Sequence, residues 1–279
     1  MRRIARLGEW LFATLMLYSG VMHFKFAQFV AGIVPSWLPW HLFWAYFTGA
    51  MLFAGGISII IDKLTRVAAT LLGILLSSFF LFIHAPSMIH SVISAPHDAS
   101  VLWSFNGTGG VNNALKDLAL TLSALMIAVF GRESQNRRSV GWILTSTFAI
   151  VMVLFGVEHF FFTQFTPGIP SWSFVTFWIP LRMVSGYVTG LGLLVGGSMI
   201  LLRRKVTLSA TCLGLMIVVV AALTYAFRMV AHLGSYGELT NSIKDLAVGG
   251  GTLIIAGSMQ AKGPLVARTE VAGESLQTI

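Results

Sequence analysis

The residues best equipped for chemistry are ionisable groups set inside apolar stretches. They are His23, His84, Lys116 and Asp117 in the first half, and Glu158, His159, Arg228, His232, Lys244 and Asp245 in the second. Histidine exchanges protons near neutral pH. A carboxylate beside an imidazole or a cation makes an acid–base or hydrogen-bonding pair. In a bilayer such groups are expensive, at roughly 2.5–3.5 kcal/mol for a charged side chain at the centre of a helix on insertion scales. They therefore face a bundle interior, pair with one another and mark pathways or binding sites.

The surroundings of these residues are those of a membrane protein. Of 279 residues, 56% are apolar and 10% charged, and the mean hydropathy is +0.82. A soluble domain carries about a quarter of its residues as charges. Eight apolar stretches, at about 8–28, 41–61, 67–90, 112–131, 140–163, 178–202, 206–231 and 241–260, reach the ~20 residues that a helix needs to cross a bilayer. The predicted fold is all-α: a polytopic transmembrane protein, eight helices arranged as two parallel four-helix-bundle repeats. The N-terminus imitates a signal peptide with Arg2, Arg3 and Arg6 before an apolar run, but no small-residue cleavage site follows, so it reads as a retained first span.

The formal charge of +8 does not point to nucleic acid, because the basic residues lie in short clusters between apolar runs. Lys63 and Arg66, Arg132, Arg137 and Arg138, and Arg203, Arg204 and Lys205 follow the second, fourth and sixth stretches. The alternate connections lack Lys and Arg and are rich in Trp, Pro, Gly and His. By the positive-inside rule both termini are cytoplasmic. Trp37, Trp40, Trp44, Trp103, Trp172 and Trp178 then form an interfacial belt on the outer side.

An internal repeat organises the chain. Gly20-Val-Met-His23-Phe24 and Pro35-Ser36-Trp37 return as Gly156-Val-Glu-His159-Phe160 and Pro170-Ser171-Trp172. Tyr46-x-Thr48-Gly49 returns as Tyr187-x-Thr189-Gly190, and Asn113-x-x-Lys116-Asp117-Leu118-Ala119 as Asn241-x-x-Lys244-Asp245-Leu246-Ala247. The units are 1–131 and 132–261, with 262–279 a disordered cytoplasmic tail. Four spans per unit gives a parallel repeat about an axis along the membrane normal.

Depth along each helix, at 1.5 Å per residue, puts His23, His84 and Asp117 about 6–9 Å below the outer surface, in one layer. Glu158, His159, Arg228, Lys244 and Asp245 form the corresponding layer of the second unit, with His232 just above. Asp117 and Asp245 also have a structural reading, since a carboxylate near a helix start complements the dipole and Asn113 or Asn241 would serve as N-cap. Lys116 and Lys244 would then snorkel outward. Neighbouring residues on a helix do not face one another, so each Asp needs another partner. The reading assigns His23 to Asp117, His159 to Asp245, and Arg228 to Glu158.

A metal centre is not expected. His84 and His90 lie about 120° apart around a helix, no HExxH spacing occurs, and Cys212, in apolar surroundings, reads as a buried inert thiol. The segment 106–113 lacks the strand and the Lys-Ser/Thr of a phosphate loop and reads as a connector.

On Gly20-x-x-His23-Phe24, Pro35-Ser36-Trp37 and Lys116-Asp117-Leu118-Ala119, the chain resembles the DoxX-like family of bacterial membrane proteins, each half resembling one four-helix member. The resemblance implies the bacterial inner membrane and an association with quinone-linked redox chemistry, because the related DoxD is a thiosulfate:quinone oxidoreductase subunit. The first functional expectation is therefore a redox-associated subunit that binds a quinone near the periplasmic side of each bundle and relies on a redox protein partner, since no haem or flavin motif occurs. Two alternatives stand beside it: a small-molecule transporter or carrier, which two parallel repeats suit, and a non-catalytic membrane scaffold. A site inside each bundle favours the first, a site between the halves the second, and fully paired polar layers the third.

Overall fold

A computed structural model describes residues 2–94, 110–130, 135–162, 169, 182–230 and 236–259. The described residues are helical throughout apart from short turns: α1 (Arg2–Lys25), α2 (Ala27–Ala31), α3 (His41–Ile60), α4 (Thr65–Phe79), a π-helical turn (Phe80–His84), α5 (Ala85–Ser94), α6 (Val111–Val129), α7 (Gln135–Phe161), α8 (Arg182–Leu201), α9 (Val206–Val230) and α10 (Tyr236–Met259). Among the described residues, five stretches are long and apolar enough to cross a membrane: His41–Ile60, Thr65–Ser94, Ser139–Phe161, Val184–Leu201 and Val206–Ala226. Large apolar side chains such as Ile74, Ile143, Val188 and Leu223 stand exposed along these helices. In water such surface would be an aggregation hazard; in a bilayer it is the solvated face. The chain is a multi-pass membrane protein.

The packing order explains how the polar layers meet. Each long helix lies against its neighbour in sequence: α1 on α3, α3 on α4, α4 on α6, α6 on α7, α7 on α8, α8 on α9 and α9 on α10. Then α10 lies along α1, closing the circuit, and α6 touches α10 across its interior. The helices do not sort into two closed bundles. The first helix packs against α10, the last described helix, and meets α6 only marginally.

Small residues set how closely the helices approach. A Cβ on Gly250 would fall 2.6 Å from the Gly8 carbonyl oxygen, and one on Gly257 would collide with Ala5. Where lipid supplies no hydrophobic drive between helices, such close backbone approach gives the van der Waals contact that holds them together. The buried core around this crossing includes Phe12, Leu15, Met16, Phe148, Met152 and Phe155.

The turns between α3 and α4 and between α8 and α9 share one design. Asp62 and Leu64 in the first, and Arg203 and Lys205 in the second, all take left-handed backbone angles. Lys63 N–H donates to the Ser58 carbonyl and Arg204 N–H to the Met199 carbonyl, each reaching back over the helix end. This is the six-residue closure typical of helix C-termini, made here without glycine. Arg6 ties the start of α1 to the first of these turns, pairing with Asp62 at 3.5 Å and donating to the Ile60 carbonyl at 3.0 Å.

Three local expectations are corrected. α6 begins at Val111, after Gly110 at φ 92°, and no side chain caps it, so Asn113 is not its N-cap. α10 begins at Tyr236, well before Asn241, which puts Asp245 beyond the first two turns and away from the helix dipole's reach. Cys212 is exposed on α9 rather than buried, because its apolar neighbours face lipid on that side.

The α1–α10 crossing yields a direct test. Gly250→Val is expected to force α1 and α10 apart and to destabilise the protein by about 1–3 kcal/mol, the usual cost of overpacking. Thermal unfolding in mild detergent reads the change.

Candidate functional site

Lys116 and Asp117 are successive residues on α6, and Lys244 and Asp245 are successive residues on α10. Side chains one residue apart diverge by about 100° around a helix, so neither Lys can serve its own Asp. The contact of α6 with α10 provides the alternative. Lys116 Nζ lies 3.3 Å from Asp245 Oδ1, and Lys244 Nζ lies 3.5 Å from Asp117 Oδ1. Each half of the chain supplies the counter-charge that the other half needs.

These groups are deep. Lys116 is fully buried and Asp245 is 2% exposed, while Lys244 keeps part of its side chain accessible. Two ammonium groups and two carboxylates balance to zero. That balance matters because desolvating a charge costs several kcal/mol unless a partner stands within reach. Lys116 therefore does not snorkel; its ammonium turns inward to Asp245.

Asp117 has a second partner. His84 Nε2 lies 2.6 Å from Asp117 Oδ2, a short charge-assisted contact in which the ring N–H donates to the carboxylate. His84 closes the π-helical turn at Phe80–His84, within a helical run from Thr65 to Ser94. Pro86 follows two residues later. A proline in a helix lacks an N–H and its ring presses on the carbonyl four residues back, here Phe82. The widened π-turn lies where that conflict falls, and its extra residue per turn rotates the imidazole relative to the α-helix below. π-turns occur frequently at functional sites.

Asp117 thus joins helices α4–α5, α6 and α10 through one carboxylate. One turn further along α6, on the same face, Thr121 is buried and its hydroxyl has no hydrogen-bond partner among the described residues. A buried hydroxyl left unmatched costs about 1–3 kcal/mol. Thr121 was not singled out from the sequence; its i+4 spacing from Asp117 was the available signal.

The histidine pairings expected from the sequence are overturned. His23 Nδ1–H donates to the Ser19 carbonyl at 2.7 Å, and His159 Nδ1–H donates to the Phe155 carbonyl at 2.8 Å. Each ring folds back along its own helix, so neither Asp117 with His23 nor Asp245 with His159 is the pair. The Lys of the opposite half takes the place assigned to His in each case. Glu158 is buried beside His159 on α7. The side chain of Arg228 and the whole of His232 lie outside the described residues, and so does the expected Glu158–Arg228 pair. No cluster of three or more His, Cys, Asp or Glu suited to a metal ion occurs among the described residues.

Comparison with known proteins adds one relationship. A family model described as a domain of unknown function, DUF8561, matches residues 12–105, a stretch that takes in most of α1 and all of α2 to α5. No curated protein and no solved structure matches the chain.

The crosswise pairing makes a sharp expectation for charge exchange. Lys116→Asp and Asp245→Lys each place like charges together in a buried setting, and each is expected to cost about 3–5 kcal/mol. The double exchange restores opposite charges, and a double-mutant cycle on unfolding in detergent is expected to show a coupling of about 0.5–3 kcal/mol. His23→Ala, by contrast, is expected to leave the stability contributed by Asp117 unchanged.

Proposed function

We propose that this protein is a proton-handling carrier for a small molecule, with its working site at the contact between the two halves of the chain. The observation that carries the reading is the reciprocal set of ion pairs, Lys116–Asp245 and Lys244–Asp117, together with His84 on Asp117. An ionisable group inside a membrane protein marks a substrate or proton pathway more often than a packing device. Here the group lies between the two repeats, which is where carriers built from parallel repeats hold their substrates.

The chemistry follows from one proton. With Asp117 ionised, its carboxylate holds both His84 and Lys244, and α4–α5, α6 and α10 are locked together. Protonation of Asp117 removes the attraction to Lys244 and weakens the contact with His84. Of the described lysine–aspartate pairs between α6 and α10, Lys116–Asp245 then remains. A substrate or a proton arriving at Asp117 therefore has a means to loosen one half against the other. Thr121, with its unmatched hydroxyl one turn away, extends the polar surface toward the midplane.

In this reading all eight long helical segments cross the membrane as two parallel repeats of four helices, with both termini cytoplasmic and the site toward the periplasmic side of the bacterial inner membrane. The basic clusters after α3, α6 and α8 support that orientation. The DoxX-like resemblance supports the membrane. The redox-associated, quinone-binding reading retains one specific support: half-buried or buried imidazoles, His23 and His159, each followed by a phenylalanine.

The test separates function from packing. Replacing a buried ion pair by neutral groups of similar shape is often neutral or stabilising. The double variant Asp117→Asn with Lys244→Met is therefore expected to fold as well as the wild type. If the network works on a substrate, small molecules that co-purify with the wild type, identified by mass spectrometry, are lost from this variant. Equal recovery from both proteins would leave the ion pairs as a packing device and support the scaffold reading instead.

A further inference from the structure

The fold builds one small constellation twice, at a place that none of the three ion pairs described above includes. On α1 and α3, a Cβ on Gly49 would fall 2.9 Å from the Cβ of His23, 3.2 Å from the Gly20 carbonyl and 3.4 Å from the Phe24 ring. On α7 and α8, a Cβ on Gly190 would fall 2.7 Å from the Cβ of His159, 3.1 Å from the Gly156 carbonyl and 3.1 Å from the Phe160 ring. An aromatic pair completes each set, Phe24 with Tyr46 at 6.0 Å and Phe160 with Tyr187 at 5.6 Å between ring centroids. Five residues on two helices recur in the same relation.

The histidine in each set is held in a defined protonation pattern. A carbonyl oxygen can only accept, so Nδ1 carries the hydrogen in the bonds to Ser19 and Phe155. In the neutral ring the lone pair is then on Nε2, as an acceptor. The carbonyl already accepts the helical N–H from the same residue, so the ring bond adds little stability. An apolar side chain would pack against the facing glycine with no polar atom to desolvate. Packing alone does not call for imidazole here, and the two halves keep it while differing beside it, with Met22 against Glu158 and Lys25 against Phe161.

The halves differ in the burial of the imidazole. His159 is fully buried beside Glu158, whereas His23 is half-buried and its Nε2 has no hydrogen-bond partner among the described residues. The aromatic pair is exposed in both sets, Phe24 46% and Tyr46 44% against Phe160 41% and Tyr187 41%, so the halves differ at the imidazole and not at the rings.

We propose that His23, Phe24 and Tyr46 form a binding site for a lipid-soluble, ring-bearing compound with a hydroxyl donor, its hydroxyl given to Nε2 of His23 and its ring laid against the two aromatic side chains. Gly49 lets α3 approach closely enough to hold the imidazole in place. His159, Phe160 and Tyr187 are the matching set in the second half, with its imidazole fully buried. This site stands apart from the carrier reading and requires no proton transfer at Asp117.

The test uses the full chain in lipid nanodiscs with imidazole nitrogens labelled with 15N, and titrates 4-hexylphenol against hexylbenzene. The phenol is expected to shift the Nε2 resonance assigned to His23 by its loss in His23→Phe, and hexylbenzene is expected to leave it in place. His23→Phe is expected to weaken phenol binding on the order of tenfold, the equivalent of one lost hydrogen bond. An equal shift with hexylbenzene, or none with the phenol, overturns the site. Asp117→Asn is expected to bind the phenol as the wild type does, so failure of the carrier reading would leave this result untouched.

Discussion

A lysine and an aspartate next to each other on a helix cannot neutralise one another, and inside an apolar bundle neither can be left alone. That constraint is met once on α6 and once on α10, and the two helices solve it together. Lys116 answers Asp245, and Lys244 answers Asp117. Everything around the pairs follows from bringing these helices into contact. The crossing of α1 with α10, made close by Gly8 and Gly250, holds the last helix against the first half. The π-turn before Pro86 sets His84 against the remaining oxygen of Asp117. A chain with two separate four-helix bundles would leave each Lys-Asp step to find partners within its own half.

The network is balanced in charge but not in kind. Asp117 has an imidazole in addition to a lysine, so one carboxylate touches groups from two other helical elements. The partner ion pair, Lys116–Asp245, is the more deeply buried of the two. The same division runs through the twin histidine sites, where His23 is accessible and His159 is sealed. The repeated motifs recur along the chain, and their burial differs between the two occurrences.

Much of this was legible in the sequence. Composition and long apolar stretches mark a membrane protein of helices, and the repeated His, Tyr-x-Thr-Gly and Lys-Asp motifs pick out the residues that carry the polar layers. Partner choice was not legible, because a repeat read along the chain suggests that each unit is closed on itself. The pairing of Asp117 with His23 failed for that reason, and also because a histidine in a helix has its own carbonyl four residues back as a competing acceptor. Lys116 was misread as a snorkelling residue because depth alone does not reveal an opposite charge arriving from another helix. Helix starts were placed too late at Asn113 and Asn241, since polar residues in the first turns resemble caps even when the helix has already begun. Cys212 looked buried by its neighbours, but in lipid apolar neighbours surround exposed positions as well.

The most direct test of the reciprocal pairing is a dipolar-coupling measurement by solid-state NMR on the full chain in lipid, with 15N on lysine Nζ and 13C on aspartate Cγ. The account requires a close Lys116 Nζ–Asp245 Cγ coupling that disappears in Asp245→Asn and survives in Asp117→Asn. It also requires a Lys244 Nζ–Asp117 Cγ coupling with the opposite response. If Lys116 coupling survives Asp245→Asn, the two halves do not exchange charges and the central claim is wrong.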